Sequence, residues 1–182
     1  RAEDPRVAKS LPRLERALER AIGLASDTLK YGRSSAPEAK LQTIRLHDLV
    51  AEAADAALAA HPEVTFANEV VPEADIQADP DHLHRSCANL IRNAAEAMNS
   101  QGSVSVGFDG STLSVIDSGP GLPEQAKANL FKPFAGSTRR DGTGLGLALS
   151  RDLARAMGGD LELGETGDSG TRFVVFLPPS GA

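Results

Sequence analysis

The chain has little with which to grip a nucleic acid and nothing with which to staple itself. It contains no tryptophan, one tyrosine and 4% aromatic residues over 182 positions, too few for the stacking platforms that bind single-stranded bases. Basic residues are in deficit, 19 Lys and Arg against 25 Asp and Glu, a formal net charge of −6. That sign argues against a general phosphate-backbone surface. Cys87 is the sole cysteine, so no disulfide can form within the chain. It falls among Leu83, Leu90, Ile91 and Ala94 at helical spacing and is expected to be a small buried hydrophobe, not a reactive thiol. No apolar run approaches the ~18 residues of a membrane span and no signal peptide is recognisable, so a soluble, cytoplasmic piece is expected. The sequence begins at Arg1 without a Met, which reads as a fragment of a longer protein, itself open to a membrane anchor elsewhere.

What the chain does have is a hydrophobic content of 41%, enough for one domain of ordinary size with an appendage. Leu11, Leu14, Leu18, Ile22, Ala25 and Leu29 recur at spacings of three and four, which predicts a long amphipathic helix. Such a stripe needs cover, either from a partner helix in a bundle or from the domain that follows. A small, polar stretch at 32–39 reads as a linker, dividing the chain into 1–31, 32–39 and 40–182. Beyond it the pattern predicts a strand at 41–46, a helix at 47–60 and strands at 64–70 and 74–78. A helix at 80–99 opens at Asp79-Pro80, an N-cap acid followed by proline. Strands at 102–108 and 112–116 meet at Asp109-Gly110, a hairpin signal. A short helix at 123–130, a helix at 145–157 closed by Gly158-Gly159 and final strands at 160–163 and 171–177 complete the chain.

Four places carry chemistry. On the helix at 80–99, Asn89, Asn93 and Glu96 fall at i, i+4 and i+7, off the apolar stripe. Asparagine is a poor helix-interior residue, so the pair reads either as solvated surface amides or as carbonyls for a hard divalent cation and its waters. Asp117 ends a strand, with Gly119 and Gly121 just after it. That arrangement reads either as an Asx-type loop or as a carboxylate placed to accept a hydrogen bond from an exocyclic amine, with room for a flat ring beside the glycines. Phe131-Lys132-Pro133-Phe134, followed by Gly, Ser and the pair Arg139-Arg140, has the composition of a mobile lid pinned by aromatics. Finally, Gly142, Gly144 and Gly146 alternate directly before a helix. Glycines let the backbone approach a ligand, and a helix start offers unpaired N–H groups and positive potential to an anion. The four histidines, His47, His61, His82 and His84, fit structural or surface positions; the last two, at i and i+2, cannot share a helix face.

In this order the motifs resemble the ATP-binding domain of sensor histidine kinases. Asn89-Leu-Ile-Arg-Asn93-Ala-Ala-Glu96-Ala-Met98 is similar to the family's asparagine box, and Asp117-Ser-Gly119-Pro-Gly121 to its first glycine box. Phe131-Lys-Pro-Phe134 resembles the phenylalanine box, Gly142-Thr143-Gly144-Leu145-Gly146-Leu147 the second glycine box, and Gly170-Thr171-Arg172-Phe173 the terminal Gly-Thr-x-Phe. The wording Ala-Ala-Glu-Ala-Met looks like the nitrogen-regulation subgroup.

The resemblance implies an α+β fold, a two-layer α/β sandwich of the Bergerat ATP-binding type with a mixed sheet facing helices, preceded by one long amphipathic helix. It implies ATP and Mg2+ as ligands. Asn93 would ligate the metal, with Asn89 near the phosphates, so Asn89, Asn93 and Lys132 would be the catalytic set. Asp117 would take the adenine amino group, supported by Thr171, in a slot shaped by Gly119 and Gly121. Phe131 and Phe134 would anchor the lid, and Gly142, Thr143, Gly144, Leu145, Gly146 and Leu147 would hold the triphosphate. The helix at 11–29 would be the second helix of a dimerisation hairpin whose first helix, bearing the phosphoacceptor His, lies outside this sequence, so this piece alone would not phosphorylate itself. Implied partners are that His helix, a response regulator receiver domain and a second copy of the full-length protein, without nucleic acid or membrane contact by this piece.

Neither a Walker loop nor a dinucleotide fingerprint is present. The related gyrase, mismatch-repair and heat-shock ATPases carry a glutamate general base where this chain has Asn89. An amide cannot take a proton from water, so phosphoryl transfer to a protein is favoured over hydrolysis. Glu96 stands where many sensor kinases have Lys, which leaves Lys132, Arg139 or Arg140 to supply the positive charge. Two other readings remain: a nucleotide-ordered docking module for a response regulator, and a serine kinase of the anti-sigma type on the same fold.

Overall fold

A computed structural model describes residues 38–134 and 144–178. The expected helix at 11–29, most of the expected linker at 32–39, residues 135–140 of the expected lid and residues 141–143 at the start of the glycine loop lie outside them. Eleven elements are described. They run β1 (Gln42–Arg45), α1 (Leu46–Leu58), β2 (Val64–Asn68), β3 (Asp75–Ala78), α2 (Pro80–Ala97), β4 (Gly102–Phe108), β5 (Thr112–Asp117), α3 (Glu124–Lys127), α4 (Gly146–Ala156), β6 (Asp160–Gly167) and β7 (Gly170–Phe176).

Alternation of apolar and polar residues decides the sheet. Val104 and Val106 on β4, Leu113 and Val115 on β5, and Phe173 and Val175 on β7 are buried, while Ile116, Arg172 and Phe176 face the other way. One face is therefore covered and one left to solvent, as antiparallel sheets allow. Five strands lie in the order β2–β4–β5–β7–β6, with β2 parallel to β4 and the remaining neighbours antiparallel. β1 and β3 form a separate antiparallel ladder. Helices α1, α2 and α4 supply the second layer, placing Leu46, Val50, Leu83, Cys87, Leu90, Ile91 and Ala154 against the sheet. This is the α+β two-layer sandwich with a mixed sheet that the motifs imply. Burial pushes the Cys87 thiol up to about 12, so it remains an inert hydrophobe, as its spacing predicts.

Local chemistry fixes the helix ends. Asp79 caps α2, its carboxylate accepting from the His82 N–H at 3.0 Å. Burial pushes this carboxyl up, but backbone N–H bonds from His82 and Lys40 outweigh it, leaving Asp79 below the usual range. At the other end Asn99 and Ser100 turn left-handed, and the Ser100 N–H returns to Ala95 O at 2.9 Å. α4 closes as predicted: the Gly159 N–H reaches Ala154 O at 3.0 Å beyond a left-handed Gly158, a Schellman-type cap. Two expectations shift. The short helix predicted at 123–130 covers only Glu124–Lys127; after it the chain tightens into three-residue turns, with Asn129 N–H to Ala126 O and Lys132 N–H to Asn129 O. The strand predicted at 160–163 continues to Gly167 through an irregularity between Leu163 and Thr166.

Candidate functional site

β5 is the middle strand of the sheet, and its last residue, Asp117, stands opposite Val104 on β4 and Thr171 on β7. The register fixes this carboxylate in the core, 5% exposed, and its Oδ1 accepts the Gly119 N–H at 2.8 Å. The backbone then turns away through Gly121. A Cβ there would run into the Gly167 carbonyl, and one on Gly170 would run into the Asp117 carbonyl; both glycines have positive φ, +75° and +135°. Loop and strand are thus packed backbone to backbone, at a distance only glycine permits. Thr171, also buried, lies 3.1 Å from the Thr166 hydroxyl, whose oxygen accepts the Leu122 N–H at 2.8 Å. Thr166 was not legible from the motifs. The irregularity in β6 brings it opposite Thr171, and nothing in the local sequence announces that shift beyond Gly164.

α2 links this end to a second cluster. Its C-terminal Met98 packs under Gly119 and Gly102, and Asn89 lies nine residues earlier, roughly 14 Å along a helix axis. There the Asn89 amide donates to Gly146 O at 2.6 Å and to Ser150 Oγ at 3.1 Å, fastening α2 to the first two turns of α4. A Cβ on Gly146 would sit 2.9 Å from the Asn89 amide nitrogen, so glycine is what admits the contact. The Asn89 carbonyl oxygen accepts the Arg92 guanidinium. Asn89 is therefore a buried cross-brace and not a solvated surface amide.

The remaining residues fall into place unevenly. Leu145 is buried and Leu147 packs against the core, so they anchor the loop end. The Phe134 N–H bonds to Gly144 O at 3.2 Å, tying the two ends of the 135–143 segment together. Phe131 is half-buried beneath the Arg151 guanidinium, 4.6 Å from its ring centre. Arg151 in turn forms two bonds to Asp160, at 2.8 and 3.1 Å, which hold the Asp160 carboxyl below and the Arg151 guanidinium above their usual ranges. Phe131 is thus held to α4 and β6 through a residue outside the motifs. Phe134 is 60% exposed. Lys132 is exposed with its ammonium on Asn129 Oδ1 at 3.0 Å, not drawn toward Asn89 or Gly146. Gly142 and Thr143 lie outside the described residues, as do Arg139 and Arg140. The Asn93 amide is half-buried and held by no hydrogen bond among the described residues, so its carbonyl can face a cation.

For Mg2+ the described residues offer little else. Among the described residues no three His, Cys, Asp or Glu side chains group to hold a metal. One amide oxygen suits an ion that keeps most of its water and takes its other ligands from phosphates. None of the described helices is long and apolar enough to cross a membrane. His61 bonds to Ser100 at 2.6 Å and His47 to its neighbour Asp48, consistent with structural roles.

Residues 78–181 match the family described as histidine kinase-, DNA gyrase B-, and HSP90-like ATPase. The sensor histidine kinase ZraS of Escherichia coli O157:H7 is 32% identical over 176 residues, spanning 94% of this chain and 37% of that protein; the chain thus covers little more than a third of this relative's length. Among solved structures, full-length ShkA in complex with AMPPNP superposes with a TM-score of 0.75 at 26% identity, covering all of this chain and 41% of that one. Histidine kinase ThkA in complex with the response regulator TrrA superposes with a TM-score of 0.74 at 23% identity over 98% and 53%, a likeness of fold. The chain belongs to the family of histidine kinase-, DNA gyrase B-, and HSP90-like ATPases.

Proposed function

We propose that this chain is the ATP-binding catalytic part of a two-component sensor histidine kinase, with residues 40–182 as the catalytic domain, 32–39 as linker and 1–31 as part of a dimerisation hairpin. It would transfer the γ-phosphoryl of ATP to a His on a helix outside this sequence. The single observation that carries the choice of kinase over hydrolase is Asn89. The position where a general base would stand is an amide engaged on both sides by Gly146, Ser150 and Arg92, and no proton acceptor is available there.

In this reading Asp117 accepts the adenine amino group, Thr171 supports the base through water, and Gly119 and Gly121 shape its slot. The turn at Gly142, Thr143, Gly144, Leu145, Gly146 and Leu147 cradles the triphosphate at the head of α4, while Phe131 and Phe134 anchor the lid. Asn93 is the residue that would hold Mg2+, which when bound neutralises charge developing on the phosphates. Lys132 takes part only if its segment swings off Asn129. The work of the protein is positioning and charge stabilisation. Its partners are the phosphoacceptor helix of the same full-length protein, acting as a homodimer, and the receiver domain of a response regulator. The reading places this piece in the cytoplasm, where ATP is supplied.

The test is to mix the purified chain with a separately made phosphoacceptor hairpin and γ-labelled ATP. Acid-labile label on the hairpin and none on the chain alone is expected. Release of inorganic phosphate without label on the hairpin contradicts the reading.

A further inference from the structure

Resting on the ATP reading above, we infer that Arg92 is the residue of α2 that binds the polyphosphate, and that Asn89 acts as its positioning residue. A nucleotide triphosphate entering a chain of net charge −6 needs local cations. Lys132, the motif candidate, is occupied by Asn129 on the surface. Arg92 stands between the two motif asparagines. Its guanidinium is held by the Asn89 carbonyl oxygen, while the same Asn89 amide is fastened to Gly146 and Ser150 in the first two turns of α4. The brace therefore fixes a guanidinium beside the start of α4.

Electrostatics gives the arrangement its meaning. A helix start carries positive potential, so a cation held next to it is unfavourably placed unless an anion joins them. The Asn89 partner is neutral and compensates no charge, and the ion pairs among the described residues, such as Arg45–Asp75 and Arg151–Asp160, do not involve Arg92. A guanidinium has five N–H donors in a planar fork, and those not facing Asn89 remain to grip phosphate oxygens bidentately. Two positive features converging on one place, with a neutral side chain holding them there, make an anion site. Arg92 is exposed and lies outside the core, so replacing it leaves the fold intact.

The experiment measures binding of Mg-ATP, adenosine and inorganic tripolyphosphate to the wild-type chain, Arg92→Gln and Arg92→Lys, with melting curves as the folding control. Arg92→Gln is expected to weaken Mg-ATP and tripolyphosphate by about 10- to 100-fold, the range for a lost charged hydrogen-bond pair, and to leave adenosine within about twofold. Arg92→Lys restores part of the loss, since it returns the charge without the fork. Equal Mg-ATP affinity in Arg92→Gln overturns the inference while leaving the ATP reading intact. So does an equal loss for adenosine and ATP, which marks a structural role. Tripolyphosphate bound through Arg92 with no binding of ATP keeps the inference and overturns the ATP reading, and a wild-type chain that binds neither overturns both.

Discussion

The two ends of the site are built by different means. At the Asp117 end the sheet does the positioning: a central strand, a fixed register, and glycines at 121 and 170 whose neighbours are backbone carbonyls. At the Asn89 end side chains do it: an amide braces two helices, and a Cβ on the glycine at 146 would meet that amide first. Backbone against backbone cannot relax without moving strands, whereas a side chain can turn aside. The first end should therefore fail by unfolding and the second by losing charge and geometry within an intact fold.

The sharpest way to break this contrast is a pair of glycine substitutions. Gly170→Ala should destabilise by about 3–5 kcal/mol, through strained φ and a backbone clash, and remove nucleotide binding with the fold. Gly146→Ala displaces the Asn89 amide, so it should cost about 1–2 kcal/mol, the loss of buried hydrogen bonds, less than Gly170→Ala, yet weaken Mg-ATP about tenfold, a loss of one well-placed interaction. Urea unfolding and calorimetry on both variants decide it; equal destabilisation would remove the distinction. Asn93→Ala should lower affinity for Mg-ATP by about tenfold and leave metal-free ATP unchanged, which titrations with and without chelator compare.

A smaller effect concerns the lid base. Arg151 holds Phe131 from above and Asp160 from the side, so Asp160→Asn should cost about 1–2 kcal/mol at neutral pH, in keeping with a partly buried charged pair. The folded Asp160 carboxyl lies below its unfolded value of about 4. Its stabilisation is therefore present in full above pH ~4 and fades as pH falls toward the folded value. The gap between wild type and Asp160→Asn should be constant above pH ~4 and narrow steadily as pH falls below it, and a gap that does not narrow in acid would contradict the pairing. The smallest signal is Cys87: with its thiol raised to about 12 by burial, it should resist a thiol reagent at pH 8 until the chain is unfolded. Rapid native labelling would place it outside the core.

Much of this is legible in the sequence. Period-2 and period-3.6 patterns located every described element, because burial on one face leaves that imprint on sequence; α3 came out shorter because its apolar residues serve turns, where three-residue bonds replace helical ones. Asp117 could be singled out as a strand-end carboxylate, since Gly119 and Gly121 follow it directly. Thr166, Arg151 and the brace through Ser150 could not. Thr166 and the brace depend on contacts between residues far apart in the chain, 44 positions for Leu122 and Thr166 and 61 for Asn89 and Ser150; Arg151 meets Asp160 only nine positions on, but across a helix end and a strand, and only the packing of strands and helices creates any of them. Arg92 was in view between two motif asparagines but unremarkable, because an exposed arginine on a helix is ordinary until its partner is known.

The central claim is that one nucleotide spans both ends, with its base on Asp117. Calorimetric titration of Mg-ATP into the wild-type chain and Asp117→Ala, each shown folded by its melting curve, tests it most directly. The account predicts one-site binding to the wild type and none detectable to Asp117→Ala. Unchanged affinity in the variant would contradict it.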